Sequence, residues 1–366
     1  MAKEFIGQGS AVHLKALLAK EKPRRILLVI DKSAYEKSGA ETLFSPMLKN
    51  FDVAVFSEFQ ENPRIEDIQK GIELFRSFSP DMVLAVGGGS ALDMAKSVNV
   101  LASQEGDPLD YVFKKKQILS QGKPLIAVPT TAGTGAEATH FAVVYVDKIK
   151  HSLSHPFVLP VYSIVDPQFT FSLPPRVTAS TGMDALSQAI ESYWSNRSTE
   201  ESKGYAKEAI SLILPNIGVA VNNPNPDARF AMSKGAHLAG KAINIGQTTA
   251  CHAISYSFTV HYGIPHGHAV GLTLPAMIAY NAPAMEESAL SGLFSLLGVR
   301  SVEQAADRIR SLMQEIGLEI KLSQLGISNI QEAANLVIKE VNLERIKNNP
   351  RILAEQDLRL MLENIQ

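Results

Sequence analysis

The chain has 366 residues, 45% of them apolar, enough to bury a large core and more in keeping with two domains than one. A formal net charge of −2 gives no electrostatic reason to expect nucleic acid or an anionic membrane as partner, so any anionic substrate must be held by locally placed cations. A single cysteine, Cys251, excludes an intramolecular disulfide framework and suits a reducing compartment. The segment from Met1 to Lys15 lacks the apolar run of a signal peptide and no stretch reaches membrane-spanning length, so the expectation is a cytoplasmic protein.

The first half reads as short apolar strands alternating with helical patterns. Arg25 to Ile30 is a buried strand ending at Asp31, and Asp52 to Phe56 is a second. Ile65 to Phe78 has helical spacing. Asp81 to Val86 is a strand that runs into Gly87-Gly-Gly-Ser90 and then a helix from Ala91 to about Ser103. Leu125 to Val128 is another strand, stopped at Pro129. This alternation predicts a mostly parallel sheet with helices on both faces. The pattern changes after Asp166-Pro167, and helix-period segments then dominate, at 178–195, 199–221, 226–245, 248–260 and 267–281, with several more towards the end. The expected division is an α/β domain over 1–170 and an all-helical domain over 171–366, with Asn222 to Pro226 a turn between helices.

Gly87-Gly-Gly-Ser90 lies directly between a buried strand and a helix. Backbone N–H groups and the positive end of a helix can hold a pyrophosphate there, with no side chain in the way. It is not the G-x-G-x-x-G of the common dinucleotide turn, and a tight strand-to-helix turn is the plainer alternative. Pro129-Thr-Thr-Ala-Gly-Thr-Gly-Ala-Glu137 follows the next strand and brings small residues and hydroxyls to the same sheet edge, where they can bind ribose, phosphate and carboxamide. Asp31 ends the first strong strand; a carboxylate there can accept hydrogen bonds from an adenosine ribose and repel a 2′-phosphate, or simply be a solvated turn residue.

In the second half, Asp184 and Gln188 stand four apart at the start of a helix and project from one face. His252 lies on a later helix, and Gly263-Ile-Pro265 breaks the chain before His266 opens the next. A hairpin of helices would bring both imidazoles towards Asp184, and one carboxylate with two histidines suffices for a divalent ion with positions left open for substrate.

Taken together, Gly87-Gly-Gly-Ser90 with Asp93 and Lys96, Pro129-Thr-Thr-Ala-Gly-Thr-Gly135, Ile164-Val-Asp-Pro167, Gly182-Met-Asp-Ala-Leu186 and Pro265-His-Gly267 resemble, in order and spacing, the iron-containing alcohol dehydrogenases. The resemblance runs from the first strand to about residue 285. It implies the fold of that family, shared with dehydroquinate synthase: an α/β nucleotide-binding domain followed by an all-α metal-binding domain. It implies that Gly87, Gly88, Gly89 and Ser90 bind pyrophosphate, that Asp93 closes the nicotinamide side, and that Thr130, Thr131 and Thr134 line the adenine and ribose path. Asn62 and Lys150 match family positions near the cofactor ribose. Asp184, His252 and His266 match three of four family metal ligands.

The departures from the family are informative. Gln188 stands where the fourth ligand is usually histidine, so either three protein ligands and water hold the ion or Gln188 coordinates through oxygen. Tyr256 replaces a histidine often cast in proton transfer, and His268 replaces an aliphatic residue. Lys241 stands where the substrate pocket is usually apolar. A cation beside a metal is costly unless an anion joins it, although a surface lysine reaching solvent is the alternative. This set resembles the hydroxyethylphosphonate dehydrogenase subgroup, whose reaction is reduction of phosphonoacetaldehyde. The expected cofactors are therefore NAD, with NADP the alternative, and a divalent ion, Fe2+ or Zn2+. Expected catalytic residues are Lys241 for the anionic group and Tyr256 or His268 for the proton, with a water chain through the ribose hydroxyls the alternative route, whereas His140 and His261 read as structural or surface residues. The expected assembly is a homodimer or larger homo-oligomer acting on a small aldehyde or alcohol. The competing readings are a generic short-chain alcohol dehydrogenase, a dehydroquinate synthase-like lyase and a non-catalytic binding protein.

Overall fold

A computed structural model of the chain describes residues 3–341 and 346–365. The chain forms two compact units, Met1–Leu173 and Pro174–Gln366.

The first unit is built on a six-stranded parallel sheet. In chain order its main elements are β1 (Lys3–Ile6), α1 (His13–Glu21), β2 (Arg25–Ile30), α2 (Lys32–Lys37), α3 (Ala40–Leu48), β3 (Asp52–Phe56), α4 (Ile65–Phe78), β4 (Met82–Gly87), α5 (Gly89–Ala102), α6 (Pro108–Val112), β5 (Leu125–Pro129), β6 (Phe141–Val146), β7 (Ile149–Ser154) and β8 (Tyr162–Val165). The strand order is β1-β8-β5-β4-β2-β3, with β6 and β7 forming a separate antiparallel hairpin. Strand β2 shows why its sequence is apolar throughout. Ile26, Leu28 and Ile30 face a core shared with Leu14, Leu17 and Phe44 of α1 and α3. Leu27 and Val29 face the opposite core with Ile68, Ile72 and Val98 of α4 and α5. Side chains alternate between two covered faces, as a doubly wound parallel sheet requires.

The chain leaves β2 for β3 on one side, then crosses back to β4 on the other. The order therefore reverses between β2 and β4, and ligands of open α/β sheets bind at the carboxyl ends beside such a switch point. Those ends carry Asp31 and Gly87-Gly88, and Gly87 pairs with Pro129 at the end of β5. Helix α5 starts there and is buried from Ala91 to Ala102, a central helix covered on every side.

Three parts of this unit go beyond the strands and helices expected from sequence. β1 and β8 pair in parallel at one edge, and the hairpin turns through Asp147 and Lys148, both with positive φ (49° and 65°). Positive φ at both central residues is the two-residue turn that suits the strand twist, but it is usually written Asn-Gly or Asp-Gly. Without the glycine it is easily missed. Asp166, of the Ile164-Val-Asp-Pro167 motif, is buried; it caps the turn after β8 through Gln168 N–H and accepts Ala11 N–H at 2.9 Å.

The second unit is helical among its described residues: α7 (Pro175–Trp194), α8 (Glu200–Asn222), α9 (Pro226–Gly246), α10 (Ala250–Tyr262), α11 (His266–Asn281), α12 (Glu287–Leu297), α13 (Val302–Glu315), α14 (Ile330–Glu340) and α15 (Glu355–Glu363). Pro175 at the first position pre-sets the φ of α7, which packs against α8, α9 and α11 and is almost wholly buried. Gly263, in the left-handed conformation (φ 66°), ends α10, and Pro265 precedes α11. No described helix is long and apolar enough to cross a membrane.

Candidate metal centre and nucleotide loop

In the second unit, α7, α10 and α11 each contribute a donor to one cluster. Asp184, His252 and His266 each offer an atom lying within 4.8 Å of the others. Asp184 Oδ1 stands 3.3 Å from His252 Nε2 and 3.8 Å from His266 Nε2. Two ligands about 2.1 Å from one ion at a tetrahedral angle stand about 3.4 Å apart, so these separations suit a shared ion. Gln188 lies one turn beyond Asp184 on α7, buried, and its Oε1 has no hydrogen-bond partner. A buried carbonyl oxygen left in that state fits an additional oxygen ligand. The donor set of one carboxylate, two imidazoles and one amide oxygen fits a divalent transition ion.

The close approach of α11 to α7 depends on Gly267. A Cβ added there would overlap the Ser180 carbonyl oxygen and stand 2.8 Å from Asp184 Cβ. Both histidines have their Nδ1 atoms engaged. Ser255 Oγ donates to His252 O at 2.9 Å and lies 3.4 Å from His266 Nδ1, from which it can accept a proton-bearing bond. Glu191 Oε2 meets His252 Nδ1 in a very short contact. These partners leave Nε2 of each ring as the ligating atom.

Glu191 was not expected from sequence. It is fully buried on α7, two turns beyond Asp184, and its Oε1 accepts from Thr249 N (3.2 Å), Thr249 Oγ1 (2.8 Å), Cys251 N (2.8 Å) and His252 N (3.4 Å). It supplies the acceptors that the start of α10 lacks, since Thr249 makes no side-chain cap. Trp194 Nε1 donates to Thr249 Oγ1 at 3.0 Å and extends the chain of bonds. Burial lowers the basicity of His252, but the Glu191 and Asp184 carboxylates outweigh it and hold the ring above its ordinary value. Burial, aided by Glu191, pushes the Cys251 thiol well up, so it stays protonated. The available signal for Glu191 is its position two turns beyond Asp184, on the same face of α7.

The other expected residues of this unit have different surroundings. Tyr256, one turn beyond His252, stacks on His266 with ring centroids 5.5 Å apart and planes 5° from parallel. Lys241 is half-buried on α9, with its ammonium 4.7 Å from the centre of the Tyr205 ring. His268 is fully buried, and its Nε2 is bonded to Glu319 O at 2.7 Å. Two residues beyond His266 on the same helix, it faces a different side, and burial lowers its pKa. His261 pairs with Glu340 at the surface.

In the first unit the glycine loop packs against the threonine loop. A Cβ on Gly89 would come 2.6 Å from Thr134 Cγ2, one on Gly88 3.4 Å from Thr131 Cγ2, and one on Gly87 3.6 Å from Asp31 Cβ. Thr130 N donates to Gly87 O at 2.9 Å, and its buried hydroxyl has no hydrogen-bond partner. Ser90 Oγ accepts Asn62 N–H at 3.1 Å, with Asn62 in a left-handed conformation (φ 62°). Asp31 caps α2 through Ala34 N–H at 2.8 Å. A cradle without side chains, an α-helix N-terminus and an unpartnered hydroxyl fit a phosphate-bearing cofactor. Asp93 is engaged within the protein: it accepts Val143 N–H at 3.0 Å and pairs with Lys96 at 3.5 Å, with the Lys150 cation nearby. Lys96 is itself buried and donates to Ala136 O, Thr139 Oγ1 and Phe141 O, which ties α5 to the threonine loop and the hairpin.

Comparison with known proteins shows the family. Residues 2–167 match the iron-containing alcohol dehydrogenase family, and residues 178–365 match its C-terminal domain. The long-chain-alcohol dehydrogenase 1 of Geobacillus thermodenitrificans is 31% identical, over 98% of this chain and 93% of its own length. The phosphonoacetaldehyde reductase of Streptomyces viridochromogenes is 34% identical, over 78% of this chain and 76% of its own. The crystal structure of sulfoacetaldehyde reductase from Bifidobacterium kashiwanohense in complex with NAD+ superposes with a TM-score of 0.91 at 31% identity, covering 100% of this chain and 96% of that one. The chain belongs to the iron-containing alcohol dehydrogenase family, as an enzyme of alcohol and aldehyde oxidoreduction.

Proposed function

We propose that this chain is a metal-dependent, NAD-linked aldehyde reductase whose substrate is a two-carbon aldehyde bearing an anionic group, phosphonoacetaldehyde, reduced to 2-hydroxyethylphosphonate. The observation that carries the substrate reading is Lys241, a half-buried cation on α9 whose ammonium lies over Tyr205. A half-buried ammonium in the metal-binding unit can pair with the anionic group of a substrate but gives a neutral alcohol no such contact. The named substrates of the Streptomyces and Bifidobacterium relatives are likewise acetaldehydes carrying an anionic group.

When bound, a divalent ion supplies Lewis-acid polarisation of a carbonyl oxygen, and reduced nicotinamide supplies the hydride. Asp184, His252 and His266 would hold the ion, and the unpartnered Gln188 Oε1 could add an oxygen ligand. Gly88, Gly89 and the start of α5 would bind the pyrophosphate, with the Thr130 hydroxyl as a further donor. Asp31, at the end of β2, would accept from an adenosine ribose and disfavour a 2′-phosphate, which favours NAD over NADP. Of the two side chains expected as proton donors, Tyr256 is favoured over His268: its ring lies along His266, whereas the His268 ring is enclosed with Glu319. The alcohol oxygen then receives one proton for each hydride transferred to carbon.

The test is the rate of NADH oxidation with phosphonoacetaldehyde, sulfoacetaldehyde and propanal, before and after chelation. The anionic aldehydes should be strongly preferred, Lys241→Ala should raise KM for them alone, and metal removal should abolish turnover. Equal or faster rates with propanal would overturn the substrate reading, and activity that survives metal depletion would overturn the metal. The expected state is a cytoplasmic homodimer or larger homo-oligomer, read for assembly by sedimentation.

A further inference from the structure

We propose that Glu191 is a positioning residue that fixes the tautomer of His252 and thereby sets the affinity of the cluster for a divalent ion. The proposal rests on the reading that Asp184, His252 and His266 hold that ion.

The two oxygens of Glu191 have separate tasks. Oε1 receives four donors, the N–H groups of Thr249, Cys251 and His252 and the hydroxyl of Thr249, at 2.8–3.4 Å. Nothing but an acceptor can occupy that position. Oε2 faces His252 Nδ1, so the ring must carry its proton there. Nε2 is thereby left with its lone pair, 3.3 Å from Asp184 Oδ1. The carboxylate is fully buried, so water cannot substitute for it. Its charge joins that of Asp184, and the two together match a divalent ion.

An isosteric amide would not be a conservative replacement. In Glu191→Gln the four donors would hold the amide oxygen at the Oε1 position and turn the amide NH2 towards His252. That group donates, so it would require a lone pair at Nδ1 and drive the ring proton to Nε2. The ring would then present a proton where the ion needs an acceptor. Flipping the amide would set its NH2 against three backbone N–H groups, which is the worse arrangement. Outer partners of ligating histidines commonly change metal affinity by about 10- to 100-fold when replaced.

The experiment uses the full chain, wild type and Glu191→Gln. Both are titrated with Zn2+ against a competing chelator, and 15N spectra of their imidazoles are recorded metal-free at a pH that leaves the rings neutral. The expected result is one Zn2+ site in the wild type and about 10- to 100-fold weaker binding in the variant. The helical circular dichroism should be unchanged, and the His252 pattern should change from Nδ1–H to Nε2–H. Equal Zn2+ affinity in the two proteins, or an unchanged His252 tautomer, would overturn the role of Glu191. If the variant does not fold, the wild-type spectrum still decides, because a His252 protonated at Nε2 contradicts the proposal. Absence of Zn2+ binding by the wild type would remove the metal reading, leaving the tautomer to be judged by the spectra.

Discussion

Gly267→Ala perturbs the cluster without touching a ligand. The added methyl would overlap the Ser180 carbonyl oxygen and stand 2.8 Å from Asp184 Cβ and 2.9 Å from Asp184 N. Carbon atoms in ordinary contact are about 3.5–4.0 Å apart, so α11 must retreat from α7 by about 1 Å. The obstacle is helix backbone, which cannot rotate aside as a side chain would. His266 Nε2, now 3.8 Å from Asp184 Oδ1, moves with the helix. Two ligands of one ion are at most about 4.2 Å apart, so the retreat takes His266 out of shared coordination. Overpacking costs about 1–3 kcal/mol, against up to about 1 kcal/mol gained by alanine over glycine in a helix. The net expectation is a loss of about 1–2 kcal/mol in stability and at least about tenfold in metal affinity. Thermal melting and chelator-competition titration measure the two effects, and NADH binding serves as a control because the glycine loop belongs to the other unit. A variant that melts and binds metal like wild type would refute the argument that the missing side chain sets the helix spacing.

Gly89→Ala should weaken NADH binding, measured by fluorescence titration, because its methyl would lie 2.6 Å from Thr134 Cγ2 and 2.9 Å from Thr134 Oγ1. Adding Thr134→Ala removes both atoms and should recover part of the loss; no recovery would mean the glycine acts otherwise. Asp81 accepts the N–H groups of Arg24 and Arg25 at 2.9 Å, which hold its carboxyl below its ordinary value. A depressed folded-state value contributes stability above the unfolded value, and that contribution is lost as pH falls through the folded one. Asp81→Asn should therefore be less stable than wild type at neutral pH, with the difference closing below about pH 4. A difference that persists undiminished in acid denaturation curves would contradict this account.

The sheet was readable from sequence where its strands are buried on both faces. The continuous apolar runs of β2, β4 and β5, short and bounded by turn residues, suit strands covered on both faces. β1 and β8 were not readable as strands, because each is only four residues long. β8 is also interrupted by Ser163, whose hydroxyl is satisfied by Glu137 O. The spacing of Asp184 and Gln188 gave one face of α7 directly, and the break at Gly263-Ile-Pro265 gave the helical hairpin that carries both histidines. Glu191 remained hidden for a physical reason. A glutamate within a helix is ordinarily solvated, and its four donors come from a segment distant in sequence that lies over it only in the folded unit. The environments of Lys241 and His268 were hidden likewise, since neither the Tyr205 ring nor the Glu319 carbonyl is implied by its neighbours in sequence.

The chain of bonds from Trp194 through Thr249 to Glu191 has an optical consequence. Trp194 is the only tryptophan in the protein, and it is buried. All indole emission therefore originates two hydrogen bonds from the carboxylate that holds His252. Metal binding at the cluster should repolarise those bonds, so a change in indole emission on adding a divalent ion is the expected readout of occupancy in the unlabelled protein. The tyrosine background aside, no second indole dilutes the signal.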